Sequence, residues 1–170
     1  MNQELVTYIV LGSIQRLKNL KIPSSSKMEE FLLGNFDKKS PIEKSIDTLV
    51  SNARGNLIVL LPPSSLPNKR SKDLLKKISM IDQSTWGWFK FNENNNDIIK
   101  NLKKISSSIR SIPNLEQGIF FTKRLYFSVG GIGSFGPSPF KEISKRFYSR
   151  IDPQNPLPAL IIRTKNLNIF

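Results

Sequence analysis

The chain has 170 residues without a single histidine or cysteine, and its 26 lysines and arginines outnumber 13 aspartates and glutamates. The missing residue types exclude Ser-His-Asp triads, thiol nucleophiles, disulfides and His/Cys zinc sites. A formal net charge of +13 repels itself in a folded body and calls for an anionic partner.

The length suits one domain, with 38% apolar residues to build its core. No apolar run approaches the ~20 residues that a membrane-spanning helix needs. The start, Met-Asn-Gln-Glu, has neither the basic stretch nor the cleavage site of a signal peptide, so an intracellular setting in a host cell or organelle is expected.

Leu5, Ile9, Ile14, Leu17 and Leu20 fit one helical stripe, although the β-branched content of Leu5–Val10 also suits a strand. Helix is the reading taken, ended by Pro23. Ser26 then caps a short predicted helix over Lys27–Leu33, with Glu29 at the capping-box position and Gly34 after it. Ser40 as N-cap, Pro41 at the first helical position and Glu43 two residues on open the clearest helix. Ile42, Ile46, Leu49, Val50 and Ala53 share its inner face, and Gly55 closes it.

After Gly55 the period changes. Leu57–Leu61 is a continuous apolar run, as in a strand buried on both faces, and Pro62-Pro63 stops it. A basic helix is predicted over Ser71–Ile81, a strand over Trp86–Phe91, and a helix over Asp97–Ile109. A strand over Ile119–Val129, a Gly/Pro/Ser loop over Gly130–Pro139 and a helix from Pro139 to Tyr148 follow, and Ala159–Thr164 forms a last strand. The expected fold is therefore α/β or α+β. An N-terminal helical segment (residues 1–55) precedes a β-α-β-α-β-α-β sheet covered by basic helices (residues 56–170), within one compact domain.

Gly131-Ile132-Gly133-Ser134-Phe135-Gly136 resembles the dinucleotide-binding fingerprint of Rossmann folds. Pro137 and Pro139 push the following helix too late for that fingerprint. The acid expected about 20 residues on is Asp152, in a proline-rich loop. The resemblance implies at most a phosphate-binding concavity at Gly130, Gly131, Gly133 and Gly136, with Lys141 and Lys145 beside it.

The basic residues follow the outer faces of the predicted helices. Residues 1–60 carry 8 basic and 6 acidic side chains, whereas residues 61–170 carry 18 and 7. Ordinary solvated faces explain lysines at these positions but not the shortage of balancing acids. The candidate polyanion-binding residues are Lys69, Arg70, Lys72, Lys76, Lys100, Lys103, Lys104, Lys123, Arg124, Lys141, Lys145 and Arg146. Trp86 and Trp88 share one face of a predicted strand that also holds Lys90. Exposed, they would stack on single-stranded bases; buried, they would be core.

Carboxylates alone remain for metal chemistry, and Asp47, Asp73, Asp82, Asp97, Glu116 and Asp152 are scattered singly at predicted helix starts and turns. No metal site, cofactor or catalytic residue is assigned. The expectation is a non-enzymatic basic protein binding RNA through its phosphate backbone. The alternatives are a structural protein of the viral matrix type, binding anionic membrane or nucleocapsid, and a nucleotide- or phosphate-binding module built on the glycine loop.

Overall fold

The run Leu5–Leu11 is apolar except for Thr7, and every one of its residues is buried in the computed structural model. That model describes residues 5–18, 20–36, 40–92, 111–164, 167 and 169. A segment covered on both faces shows no polar alternation, and here it is a strand at the heart of a sheet. The described strands are β1 (Val6–Ser13), β2 (Glu29–Phe36), β3 (Leu57–Leu61), β4 (Ser65–Leu66), β5 (Trp86–Gly87), β6 (Ile119–Thr122) and β7 (Ile161–Ile162). The described helices are α1 (Ile14–Leu17), α2 (Ile42–Asn52), α3 (Lys69–Ser79), α4 (Lys123–Ser128) and α5 (Lys141–Tyr148).

Five strands form one mixed sheet in the order β2-β1-β3-β6-β5, while β4 and β7 pair separately. β1 lies parallel to both β2 and β3; β6 runs antiparallel to β3 and to β5. Alternation along the central strands divides the core in two. Ile9, Leu11, Ile58, Leu60, Ile119 and Phe121 face α2, α4 and α5. Val6, Tyr8, Val10, Leu57, Val59 and Phe120 face α3 and Leu17 of α1. The molecule is thus a mixed α/β sheet with helices on both faces.

The N-terminal helices expected over Leu5–Leu20 and Lys27–Leu33 are strands, apart from the single turn of α1. Chain-long burial hid the strand period in β1. In β2 the deciding contacts are made with β1. Phe31 stacks on Tyr8 with ring centroids 4.9 Å apart, and Glu30 turns inward beneath the sheet's lower edge. Thr7 Oγ1 donates to Glu30 Oε2 at 2.7 Å, and the Arg54 backbone N–H donates to the same oxygen at 2.8 Å. Arg54 Nε donates to Glu30 Oε1 at 2.7 Å. Gly55 N–H donates back to Thr7 Oγ1 at 3.0 Å. A Cβ at Gly55 would stand 2.5 Å from the Leu5 carbonyl oxygen, so only glycine passes here.

The expected Ile119–Val129 strand divides at Thr122. Thr122 pairs with Leu57, the first residue of β3, so no partner strand lies beyond it. The chain turns instead: Lys123 N–H donates to the Asn56 carbonyl at 2.8 Å, and α4 begins. Other bounds shift less. α3 is capped by Asn68, whose Oδ1 accepts from Ser71 N–H at 2.8 Å, and it ends at Ser79 where Ile81 was expected. α2 starts at Ile42 with Pro41 as its cap, and α5 starts at Lys141 after Phe140, later than the Ser138/Pro139 signal. The expected last strand shrinks to β7, held by β4. The helix expected over Asp97–Ile109 lies outside the described residues.

Ser64, between β3 and β4, has φ 55°. A Cβ-bearing residue held there costs roughly 1–2 kcal/mol.

Glu30→Ala removes the acceptor of three hydrogen bonds, two of them from groups that stay buried or half-buried. The expected loss is about 2–3 kcal/mol of unfolding free energy in urea. An unchanged midpoint would mean the carboxylate contributes nothing to holding the strands.

Candidate functional site

The Gly130–Pro139 loop packs against α2 and the side of α5, and the backbone donors of Gly130, Gly131, Ile132, Ser134 and Phe135 are already engaged. Asp47, on α2, accepts through Oδ1 from Ile132 N–H at 3.1 Å and from the Tyr126 hydroxyl. Glu142, on α5, accepts from Ser134 N–H at 2.8 Å through Oε2, and Glu43 accepts from Phe135 N–H at 3.1 Å. Glycine is needed where the carboxylates close in. Gly131 and Gly133 have φ 82° and 69°, and Cβ atoms there would stand 2.7 Å from Asp47 Oδ1 and 2.5 Å from Glu142 Oε1.

Of the glycines expected to line a phosphate cradle, Gly130, Gly131, Gly133 and Gly136, the first two already spend their N–H groups within the fold. Gly130 and Gly131 N–H groups donate to the Phe127 and Tyr126 carbonyls, at 3.2 and 3.1 Å, closing α4. Those of Ile132, Ser134 and Phe135 hold the protein's own carboxylates, which would repel a phosphate. The same spacing that suits an anionic ligand here receives internal anions.

The candidate stacking pair is buried. Trp86 is fully covered and Trp88 is 7% exposed. Trp86 Nε1 donates to the Ile151 carbonyl at 3.0 Å, and its ring lies 5.3 Å from that of Phe147 and 4.8 Å from that of Tyr148. Trp86 seals the edge strand β5 against α5, and the Trp88 ring lies 5.5 Å from it, so no nucleobase reaches either. The bland reading of these residues is the one the fold adopts.

The candidate cations divide into two sets. Lys72 and Lys76 reach back over the sheet to Glu29, at 3.3 and 3.5 Å, and the Lys72 ammonium also lies 5.7 and 5.4 Å from the Tyr8 and Phe31 ring centroids. Lys123 Nζ donates to the Ser51 and Ala53 carbonyls, at 3.1 and 2.9 Å, capping the C-terminal end of α2. Arg146 pairs with Glu142 and donates to the Val129 carbonyl at 3.3 Å. Lys69, Arg70, Arg124, Lys141 and Lys145 are exposed, and their side chains have neither hydrogen bond nor ion pair among the described residues. Lys100, Lys103 and Lys104 lie outside the described residues.

The five exposed cations fall into separate patches. Lys69 and Arg70 open α3 on one face of the sheet, whereas Lys141 and Lys145 lie on α5 on the other. Lys141 stands between two depressions. One, of about 410 Å³, is shared with Ser134, Ser138 and Lys145. The other, an open crevice of about 960 Å³, runs between Ile42 and Glu43 at the start of α2, the Leu115–Gln117 turn and the Phe135–Pro139 segment. Its carboxylates are Glu43 and Glu116. Sequence reasoning missed this crevice because its walls come from segments some 70 residues apart that no spacing rule connects.

Two carboxyls are held below the usual glutamate range. Burial pushes Glu30 up, but hydrogen bonds from Thr7 and Arg54 outweigh it. The backbone N–H groups of Glu43 itself and of Phe135 lower Glu43, against a smaller effect of burial. Burial, then the hydrogen bond to Asp47, pushes the Tyr126 hydroxyl far above its ordinary value, so Tyr126 stays a donor.

No protein-family model matches the chain, and no curated protein matches it as a relative.

Two outcomes are expected. Asp47→Ala strands the Tyr126 hydroxyl and the Ile132 N–H; it should cost about 1–3 kcal/mol and speed hydrogen exchange at Ile132, whereas an unaltered exchange rate would refute the anchoring role. Glu30 and Glu43 have lowered folded-state values, so their stabilisation is complete above the unfolded range and is lost as pH falls through the folded values. Thermal midpoints should therefore drop below about pH 4.3, and the drop should be smaller in Glu30→Gln.

Proposed function

We propose that the protein is a non-enzymatic binder of polyanions, RNA first, acting through phosphate contacts from exposed lysines and arginines. The observation that carries this reading is the direction in which the acids point. Glu30, Glu43, Asp47 and Glu142 hold backbone and side-chain donors inside the fold. Glu29 is committed to Lys72 and Lys76. Lys69, Arg70, Lys141 and Lys145 are left outside without carboxylate partners among the described residues, so part of the positive surplus is carried at the surface.

Phosphate contact suits this arrangement better than base reading does. The exposed groups are mostly point charges on flexible stems, and the aromatic rings that would have stacked on bases are sealed in the core. The candidate set narrows accordingly to Lys69, Arg70, Arg124, Lys141 and Lys145.

A second reading, attachment to an anionic membrane surface, draws on one different observation. Met80 and Ile81, 55% and 56% exposed, share a depression of about 280 Å³ with Arg124, and Phe127 is exposed one helical turn further on. Apolar side chains beside a cation match the chemistry of a lipid interface.

Filter binding of a single-stranded RNA should weaken steeply with salt. The log-log slope should fall by about 0.7 for each phosphate contact removed, so Lys141→Gln/Lys145→Gln should lower it by about 1.4. Tryptophan emission should stay constant through the titration because both indoles are buried. A flat salt dependence, or no binding at low salt, would end the RNA reading. Flotation with vesicles containing anionic lipid, in the absence of RNA binding, would establish the second reading in its place.

A further inference from the structure

The chain leaving β1 turns toward β2 on one side of the sheet, whereas the chain leaving β3 passes to β5 on the other. In open α/β sheets the gap between two such departures, beyond the carboxyl ends of the strands, is where ligands bind. A cavity of about 250 Å³ occupies this position. One wall is the segment that follows β1 and α1, and it carries Lys21. The other is the segment that follows β3, Ser64 and Ser65, with Leu66. Val10, near the end of β1, lies buried at its base, and Arg163, just after β7, closes the side.

The chemistry of the walls is one-sided. Two cationic side chains, Lys21 and Arg163, line the cavity, and no carboxylate does. Neither cation has an acidic partner among the described residues. Arg163 is fixed in place from its backbone: its N–H donates to the Ser64 carbonyl at 3.0 Å, beside the β4–β7 pairing of Ser65 with Ile162. The residue that accepts this bond is the one non-glycine residue with positive φ among those described. Serine stands there although glycine would relieve the backbone, and such strain collects at ligand sites. Apart from Ser65, whose hydroxyl donates to the Pro62 carbonyl at 2.8 Å, the rest of the lining is apolar.

We propose that this cavity binds a small organic anion, a carboxylate or phosphate monoester on a compact apolar body. Arg163 and Lys21 hold the charged group, the Ser64 hydroxyl adds a hydrogen bond, and the Val10 and Leu66 side chains receive the body. The volume lies below that of pockets for drug-sized ligands, which limits the occupant to a small molecule. The inference does not depend on the polyanion reading, since it rests on different residues.

The test is titration of the full-length protein with benzoate, phenyl phosphate, benzamide and inorganic phosphate, followed by amide chemical shifts and thermal midpoints. Benzoate or phenyl phosphate should bind and shift the Ser64, Ser65 and Leu66 amides, and whichever binds more tightly identifies the head group. Arg163→Gln with Lys21→Gln, both exposed positions, should weaken that binding roughly tenfold or more without lowering the midpoint. Ser64→Gly should raise or hold the midpoint while weakening binding at least threefold. Equal affinity for neutral benzamide, equal affinity for inorganic phosphate without a body, or undiminished affinity in the double variant would each overturn the proposal. RNA binding by a protein that takes up neither organic anion would leave the polyanion reading standing and refute this one.

Discussion

The register of the three parallel strands depends on one carboxylate. Glu30 sits at the end of the sheet where β1 and β2 begin and where α2 delivers the chain to β3, and it joins all three through Thr7 and Arg54. Parallel strands have no hairpin to fix their alignment, so something else must set it. A slip of one residue would exchange the two core faces, placing Tyr8 and Val10 where Ile9 and Leu11 belong. The apolar packing makes such a slip costly, and the Glu30 network makes it a loss of three charge-assisted or buried hydrogen bonds besides.

The same logic extends across the molecule. This chain has few acids, and several of those described serve as internal fasteners. Asp47, Glu43 and Glu142 take up the backbone donors of an irregular loop, a task that water or side-chain amides perform in many folds. Four of the candidate cations serve structure in return: Lys123 caps α2, Arg146 braces α5, Lys72 lies over a stacked ring pair, and Lys76 joins Lys72 on Glu29. A strongly basic sequence therefore divides into cations that build the fold and cations that stay exposed, a division that charge counting alone does not reveal.

What was legible in the sequence follows from how local each signal is. The α2 pattern of Pro41, Glu43 and the Ile46/Val50 stripe is complete within one element, and so is the Leu57–Leu61 run. β2 was illegible because its conformation is decided by pairing with residues 23 positions earlier, and Glu29 and Glu30 imitate a helical first turn. The length of β6 was set by where β3 starts, a fact about another segment. The glycine loop misled for a chemical reason. Positive-φ glycines mark close approach of an anion, and sequence does not say whether that anion is a ligand or the protein's own aspartate. The Trp86/Trp88 pair was ambiguous between exposed and buried until β5 was placed at the sheet edge beneath α5.

Holding its acids against backbone amides gives the protein a surface charge that ignores protons. No side chain titrates near neutrality in its ordinary range, since histidine is absent. Glu30 and Glu43 are displaced further from neutrality, while the Tyr8 and Tyr126 hydroxyls are displaced upward by burial. Acidification of a compartment by a unit or two would leave the attraction for anions unchanged. An anionic partner of the kind proposed would then be released by competing salt, by another polyanion or by chemical modification of the lysines, and control of such binding would belong to the surroundings and not to a proton switch in the protein.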